Sequence, residues 1–408
     1  MSLAGASTPV VLELTEYATL TTDALTAAHR ARLQSDFGHA IRVAPSWLAG
    51  HTVLKAEEFV GVIALDGLQI HIRPKVPLSN LFYMLTYAYD LAEFRSSETT
   101  LAESDDLFAF LVEIFVKQVD RLVRDGIARG YVESDDDPAY LRGRLRPMEH
   151  LRRSATRPGR FPQQVNEFTA DLLTNRILKF TLWQLARAGA GTAKVHRRLR
   201  RTLSAFSEVS LVAVTPADCQ RVVYTRLNEA YRTPINLARL FLQHLSLEGH
   251  AGAAPFMSYL VPMPRVFELF VGRYLQETFA NHPRLSVALQ ETIWLDEAQR
   301  AQGRLDIMLR RDGRAWLILD TKYKRFGGQP SADDRQQMYT YCGTMGIDRA
   351  VLVYADAWAG TYREVLKRAQ GPVAPVTLVA QSLPLDGTLA EFRARCARWA
   401  ASVGQVVE

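Results

Sequence analysis

Asp306, Asp320 and Lys322 are the residues best suited to chemistry, because they interrupt two apolar runs where charge is costly. The first run is Leu305-Asp306-Ile307-Met308-Leu309 and the second is Ala315-Trp316-Leu317-Ile318-Leu319-Asp320-Thr321-Lys322. A carboxylate inside such a strand is expensive without a partner or a metal. Two carboxylates and a lysine on one sheet face are the set that metal-assisted phosphodiester hydrolysis needs. Magnesium takes hard oxygen ligands, usually one or two carboxylates, and leaves the rest to water and substrate phosphate. It neutralises phosphate charge and lowers the pKa of a bound water. A nearby lysine orients or deprotonates that water and offsets developing negative charge. The Asp-x-Lys triplet alone carries little weight, since both residues are common on strands; the upstream aspartate adds to it.

The elements that must position these residues are a hairpin and two flanking helices. Arg311-Asp312-Gly313 suits a three-residue loop closed by a glycine in the left-handed region. That register sets Arg310 opposite Arg314 and Asp306 opposite Ile318, with Asp320 diagonal to Asp306 and Lys322 on the same face. A two-residue loop would separate the aspartates onto opposite faces unless a bulge intervened. Upstream, Pro262-Met263-Pro264 leads into an amphipathic helix through Leu275. Its Glu268 either supplies a further oxygen to the metal or its waters, or simply sits near the positive end of the helix dipole. Downstream, Ser331-Ala332-Asp333-Asp334 resembles a capping box. The helix it starts carries Gln337 and Tyr341 four residues apart on one face, directed at DNA, at the lysine, or only at core or solvent. Ala350–Tyr354 and Val376–Ala380 read as buried strands, giving the order helix, strand, strand, helix, strand, strand, helix.

The chain has 408 residues, enough for two or three domains. Residues 9 to 80 read as mostly β with one early helix, and Asp66-Gly67 between two apolar runs predicts a hairpin. Residues 80 to 126 and 166 to 248 read as helical. Gly249–Pro255 is the best linker. The boundaries that follow are 1–138 for a β-rich N-terminal domain, 139–254 for a basic helical middle region and 255–408 for the domain with the Asp/Lys site. Between Arg142 and Arg201 fifteen lysines and arginines face three carboxylates. That block reads either as a phosphate-contacting surface, with Arg142, Arg144, Arg152, Arg153, Arg197 and Arg198 as candidate DNA contacts, or as a solvated helical face. Cys219, Cys342 and Cys396 lie too far apart to suggest a zinc site or disulfide framework. No apolar run is long enough to span a membrane, and Glu13 and Glu16 stand where a signal peptide would be basic or apolar. A reducing cytoplasm is the simplest compartment.

The order of elements around Asp306, Asp320-Thr321-Lys322, Gln337 and Tyr341 resembles the PD-(D/E)XK nuclease superfamily, the last pair being similar to its RecB-like branch. Leu305 stands where the superfamily name has proline. The chain further resembles the McrC family of McrBC restriction systems through Phe59–Ile63 leading to Ile72-Arg73-Pro74-Lys75, through Leu141-Arg142-Gly143-Arg144-Leu145, through Asn175-Arg176-Ile177-Leu178-Lys179, and through the Phe267-Glu268 helix. The fold implied is an α/β multidomain chain with a restriction-endonuclease-like C-terminal domain.

What the resemblance implies is a Mg2+-dependent endonuclease, Mn2+ serving as substitute, with Asp306, Asp320 and the Thr321 carbonyl on the metal. Lys322 would act on the water, with Glu268, Gln337 and Tyr341 in support. It also implies double-stranded DNA as substrate and an McrB-like AAA+ GTPase oligomer that recognises modified cytosine and is stimulated by the N-terminal domain. The chain has no Gly-x-x-x-x-Gly-Lys-Ser/Thr loop of its own. The competing readings are a standalone RecB-like repair nuclease and a non-catalytic DNA-binding adaptor that activates a partner NTPase.

Overall fold

Alternating apolar residues and a tight Asp-Gly turn build the first sheet. The computed structural model describes residues 9–95, 107–153, 156–188, 192–248, 256–358, 360–366 and 375–405. In chain order it begins with β1 (Val10–Thr15), β2 (Thr19–Thr22), α1 (Ala27–Asp36), β3 (Ile41–Pro45), β4 (Thr52–Ala56), β5 (Phe59–Leu65), β6 (Leu68–Arg73) and α2 (Leu78–Ala88). β5 and β6 pair with Leu65 opposite Leu68, so the expected hairpin forms across Asp66-Gly67. β1 runs parallel to β6, and β2, β4 and β3 make a separate antiparallel sheet. Leu33, Ile41, Leu54, Ile63 and Ile70 close the core between them.

The middle of the chain holds α3 (Leu107–Asp125), β7 (Gly130–Asp136), β8 (Arg144–Leu145), α4 (Pro147–Arg153), β9 (Gln163–Thr169), α5 (Leu173–Arg187), α6 (Ala193–Ser204), α7 (Pro216–Gln220), α8 (Arg232–His244) and β10 (Leu245–Glu248). The expected helical stretch from 166 therefore starts on a strand. β9 pairs along its length with β7, and buried Gln163 and Val165 lie two apart, the period of a strand. Gln163 is fully buried. Its Oε1 accepts from the Arg142 and Gly143 amides at 2.7 and 2.6 Å, and its Nε2 donates to the Tyr140 carbonyl at 2.8 Å. A Cβ on Gly143 would stand 2.2 Å from the Gln164 carbonyl oxygen, so only glycine fits there. Asn175 is buried as well, bonded to the Ala128 and Ala170 carbonyls and to the Tyr231 hydroxyl. These two segments are scaffold.

The last third contains β11 (Phe256–Pro262), α9 (Met263–Thr278), β12 (Leu285–Trp294), β13 (Gln302–Arg311), β14 (Arg314–Lys322), α10 (Ala332–Met345), β15 (Arg349–Tyr354), β16 (Tyr362–Leu366), β17 (Val376–Ser382) and α11 (Leu389–Gln405). Six strands form one sheet in the order β12-β13-β14-β15-β17-β16, with β14, β15 and β17 parallel. Two of them, β12 and β16, were not anticipated. Both are sheet edges whose half-exposed residues lack a continuous apolar run. Met308 and Ile318 pack with Met338 and Cys342 of α10, while Gly272 of α9 meets Leu289 and Ile307.

The chain divides into two compact units, Met1–Leu107 with Ser258–Glu408, and Phe108–Met257. This grouping does not follow the expected boundary at 138/139. Its physical cause is β11, which pairs antiparallel with β5 and so ties the N-terminal segment to α9. Gly61 (φ 142°) permits the contact, since a Cβ there would meet the Tyr259 carbonyl oxygen at 1.8 Å. α2 adds ring contacts, with Tyr83 and Tyr87 centroids 6.0 and 5.5 Å from Phe270. The expected linker Gly249–Pro255 lies outside the described residues. Among the described residues, no helix is long and apolar enough to cross a membrane.

Candidate active site

The β13–β14 hairpin turns differently from the three-residue loop expected. Arg311 faces Arg314, and Asp312 (φ 53°) with Gly313 (φ 79°) makes a two-residue turn, both residues left-handed as such hairpins require. A bulge then restores the face. Pairing passes from Arg310–Ala315 to Leu309–Leu317, leaving Trp316 unmatched, with the Arg311 guanidinium 3.8 Å above its ring. Beyond the bulge Ile307 pairs with Leu319, so one step further Asp306 stands directly opposite Asp320 rather than diagonal to it. The aspartates share a face, as chemistry requires, through a bulge instead of a longer loop.

Asp306, Asp320, Thr321, Lys322, Glu268 and Gln337 line one open cavity of about 420 Å3. The Thr321 amide and hydroxyl donate to Asp306 Oδ2 at 2.9 and 3.0 Å. Asp320 is only 3% exposed. Lys322 Nζ forms a close ion pair with Asp320 Oδ2 at 2.7 Å, and no other donor among the described residues reaches that oxygen. Burial, reinforced by Asp320 and Glu268, pushes the Asp306 carboxyl up to about 7 despite the Thr321 donors. Burial also raises Asp320, against the pull of Lys322. For Lys322, burial acts to lower the pKa, but Asp320 and Asp334 outweigh it and hold the ammonium above its ordinary value. The pocket thus holds more carboxylate than its one lysine balances.

Glu268 reaches this cavity from α9, whose start carries a proline in the first turn. It is not idle: Oε1 accepts from Arg265 at 2.5 Å and from Gln290 Nε2 at 3.0 Å. Gln290 is a residue the sequence reading missed. Pairing on either side, Leu289–Ile307 and Glu291–Leu305, puts it opposite Asp306, and it adopts φ 56° in mid-strand. A non-glycine residue held left-handed within a strand is strained, and such positions cluster at functional sites.

From the other helix, Ser331 and Asp334 form the expected capping box. Gln337 Oε1 accepts from Lys322 Nζ at 2.9 Å, and Gln337 Nε2 lies 3.4 Å from the Tyr341 hydroxyl, so the pair approaches the lysine in file. Asp334 does more than cap. It lies 3.4 Å from Lys322, bonds Lys324, and accepts from the Tyr354 hydroxyl at 2.9 Å. Burial would raise its carboxyl, but these donors and cations bring it down to about 2. Its place three residues before Gln337 was the only sequence signal for this role.

The donor set fits a hard divalent cation. Asp320 offers a buried oxygen whose one close partner among the described residues is Lys322, and Asp306 Oδ1 is left outside the bonds that Thr321 makes. Among the described residues no cluster of three or more His, Cys, Asp or Glu is set to hold a metal. Two carboxylates with water are the sparse protein set magnesium accepts.

The basic segment looks different once folded. Arg142 pairs with Asp136 and Glu167, Arg146 with Asp135 and Glu149, Arg153 with Glu149, and Arg157 with Asp137. Arg176 forms a two-pronged pair with Asp171 at 2.7 Å for each bond, and Arg198 pairs with buried Asp120. Arg144, Arg152 and Arg197 are exposed.

Three comparisons bear on this arrangement. The family model for "McrBC 5-methylcytosine restriction system component" matches residues 54–355. The type IV methyl-directed restriction enzyme EcoKMcrBC of Escherichia coli (strain K12) is 23% identical over 260 residues, covering 62% of this chain and 74% of that protein. Among solved structures, a chain of the half-complex from the tetradecameric assembly of Thermococcus gammatolerans McrB AAA+ hexamers with bound McrC superposes with a TM-score of 0.56 at 21% identity. That match covers 97% of this chain and 100% of that one, and it speaks to the fold. With the family model spanning well over half of its length, this chain belongs to the McrBC 5-methylcytosine restriction system component family.

Proposed function

We propose that this chain is the nuclease component of its restriction system, a Mg2+-dependent endonuclease of the PD-(D/E)XK type that cuts double-stranded DNA delivered by an McrB-like AAA+ GTPase. The observation that carries the reading is the direct opposition of Asp306 and Asp320 on one sheet face, both raised in pKa, with Lys322 beside them. In this reading Asp306, Asp320 and the Thr321 carbonyl hold the metal. When bound, the ion supplies Lewis acidity toward a phosphodiester oxygen and lowers the pKa of a water. Lys322 orients the attacking water and offsets charge that develops on the phosphate. Gln337, backed by Tyr341, fixes the lysine's direction, and Arg265 with Gln290 fixes Glu268 at the cavity wall. Recognition of modified cytosine and GTP hydrolysis belong to the partner, with the N-terminal segment stimulating it. Of the six candidate DNA contacts in the basic segment, Arg144, Arg152 and Arg197 are left to meet phosphates, since Arg142, Arg153 and Arg198 already hold carboxylates.

The test is plasmid cleavage in Mg2+ by wild type and Lys322→Ala, with and without the AAA+ partner and GTP, on methylated and unmethylated DNA. Cutting of methylated DNA only with partner and GTP, lost in the variant, is the expected result. Equal cutting by the variant would remove Lys322 from the mechanism.

A further inference from the structure

A second cleft opens beside the Asp306–Asp320 site, and none of its lining residues has a role in the proposed reaction. It has a volume of about 620 Å3 and is walled by Glu16 and Tyr17 after β1, Lys75 after β6, and Lys324 and Arg325 just beyond β14. The last two follow Lys322 by two and three residues. The two cavities share a wall. The Tyr17 hydroxyl lies 2.8 Å from the Tyr323 carbonyl and 3.2 Å from Glu58, which lines the Asp306–Asp320 cavity.

The wall is rigidly built. Glu16 is 4% exposed, and its Oε1 accepts from the Lys75 amide at 2.7 Å and from the Tyr323 hydroxyl at 2.8 Å. Tyr17 sits at φ 64° and its ring lies 6.5 Å from that of Tyr323. Lys75 Nζ is held against both, 4.8 Å from the Tyr17 centroid and 4.1 Å from the Tyr323 centroid. Lys324 is already matched by Asp334. Lys75 and Arg325 form no ion pair among the described residues, although Glu16, Glu58 and Asp356 act on Lys75 at longer range. Burial lowers the Lys75 pKa, the state of an ammonium short of close anions. Two unpaired cations in one cleft, Lys75 fixed by aromatic rings and Arg325 three residues past Lys322, present a track for backbone phosphates beside the Asp306–Asp320 cavity.

We propose that this cleft binds the backbone phosphates flanking the bond cut at the Asp306–Asp320–Lys322 site, with Lys75 and Arg325 making the phosphate contacts. The N-terminal segment then supplies part of the DNA surface as well as any contact with the motor. The inference rests on the nuclease reading, and the two are separable by experiment.

The full chain is titrated with a short fluorescein-labelled duplex in Ca2+, by anisotropy at several salt concentrations. Lys75→Gln/Arg325→Gln is expected to make the slope of log affinity against log salt shallower by about two. Each single change should account for about one, and Lys75→Arg should restore the wild-type slope. A charge-matched control, Lys55→Gln/Arg226→Gln, should leave it unchanged, and equal melting temperatures exclude misfolding. An unchanged slope in the double variant, an equal drop in the control, or no salt-sensitive binding by wild type would each overturn the proposal. A wild type that binds with this dependence but never cuts in Mg2+ would leave the cleft standing as a DNA site and remove the nuclease reading. Cutting by wild type with no slope change would remove the cleft alone.

Discussion

The strand pair around Asp306 and Asp320 and the segment from Arg142 to Arg201 both concentrate charge, and they handle it in opposite ways. In the first, two carboxylates are sunk into a sheet with one lysine paired to Asp320, and burial raises both. In the second, a run that looks strongly positive along the chain is answered in part, in three dimensions, by Asp120, Asp135, Asp136, Asp137, Glu149, Glu167 and Asp171. Charge density along a sequence therefore says little about function until its partners are placed. A charge left unbalanced in a buried position is the more informative sign, because the fold gains nothing from it.

That contrast is broken most directly at the site itself. Lys322→Ala and Asp320→Asn should each lower the rate of DNA cleavage at least about a hundredfold, the scale of removing one group that stabilises transition-state charge. Asp320→Asn should at the same time raise the melting temperature in EDTA by roughly 2–4 °C, because it removes a buried charge that nothing in the apo site fully offsets. Mg2+ should stabilise wild type against heat and leave Asp320→Asn unmoved. An asparagine variant that melts lower in EDTA would show that the carboxylate serves the fold, and the contrast would fail.

A smaller effect is expected one layer out. Gln337→Ala frees the Lys322 ammonium from its only amide partner among the described residues while Asp320 and Asp334 remain. A loss of about tenfold in cleavage rate is expected, with DNA affinity unchanged. Gln337→Glu should be worse than alanine, since a third carboxylate would draw the lysine away from Asp320. Equal rates for wild type and Gln337→Ala would leave the glutamine as packing.

Much of this arrangement was legible because local rules and burial agreed. The α9 start at Pro262-Met263-Pro264, the Ser331–Asp334 cap and the buried strands at Ala350–Tyr354 and Val376–Ala380 all formed where composition placed them. The hairpin register did not follow, because Asp312 takes the left-handed turn beside Gly313 and the compensating bulge at Trp316 depends on packing rather than residue type. Gln290 was invisible for a related reason. Its left-handed φ on an edge strand and its bond to Glu268 are announced by none of its neighbours in sequence. Nor did the sequence indicate that β11 would carry the N-terminal segment into the same compact unit as the site, since strand pairing at that separation leaves no local trace.

In the basic segment the expected effects are on stability. Asp171→Asn removes the pair to Arg176 and the bonds from the Ser210 amide and hydroxyl at 2.9 and 2.7 Å. The Arg176 guanidinium, with Ser210, holds the Asp171 carboxyl well below its ordinary value against the opposing effect of burial. A depressed folded-state pKa contributes stability that is fully present above the unfolded value and lost as pH falls toward the folded one. The variant should therefore be about 1–2 kcal/mol less stable near neutral pH, a figure reduced for partial solvent exposure. That gap should narrow once the pH drops below about 4. Urea denaturation at two pH values measures it. A gap that widens in acid would mean that Asp171 is not held by charge.

The smallest effect should come from Arg144→Gln/Arg152→Gln/Arg197→Gln, three of the exposed arginines of the block. Each change should alter stability by no more than about 0.5 kcal/mol, since no ion pair among the described residues depends on them. Their bearing on DNA is the sharper question. If the basic segment mainly balances its own carboxylates, the triple variant should shift the salt slope of DNA binding less than the Lys75/Arg325 double variant does, despite losing one more charge. A larger shift in the triple variant would reverse that order. It would make the middle unit, through the few arginines its acidic neighbours leave unmatched, the principal phosphate-binding surface of the molecule.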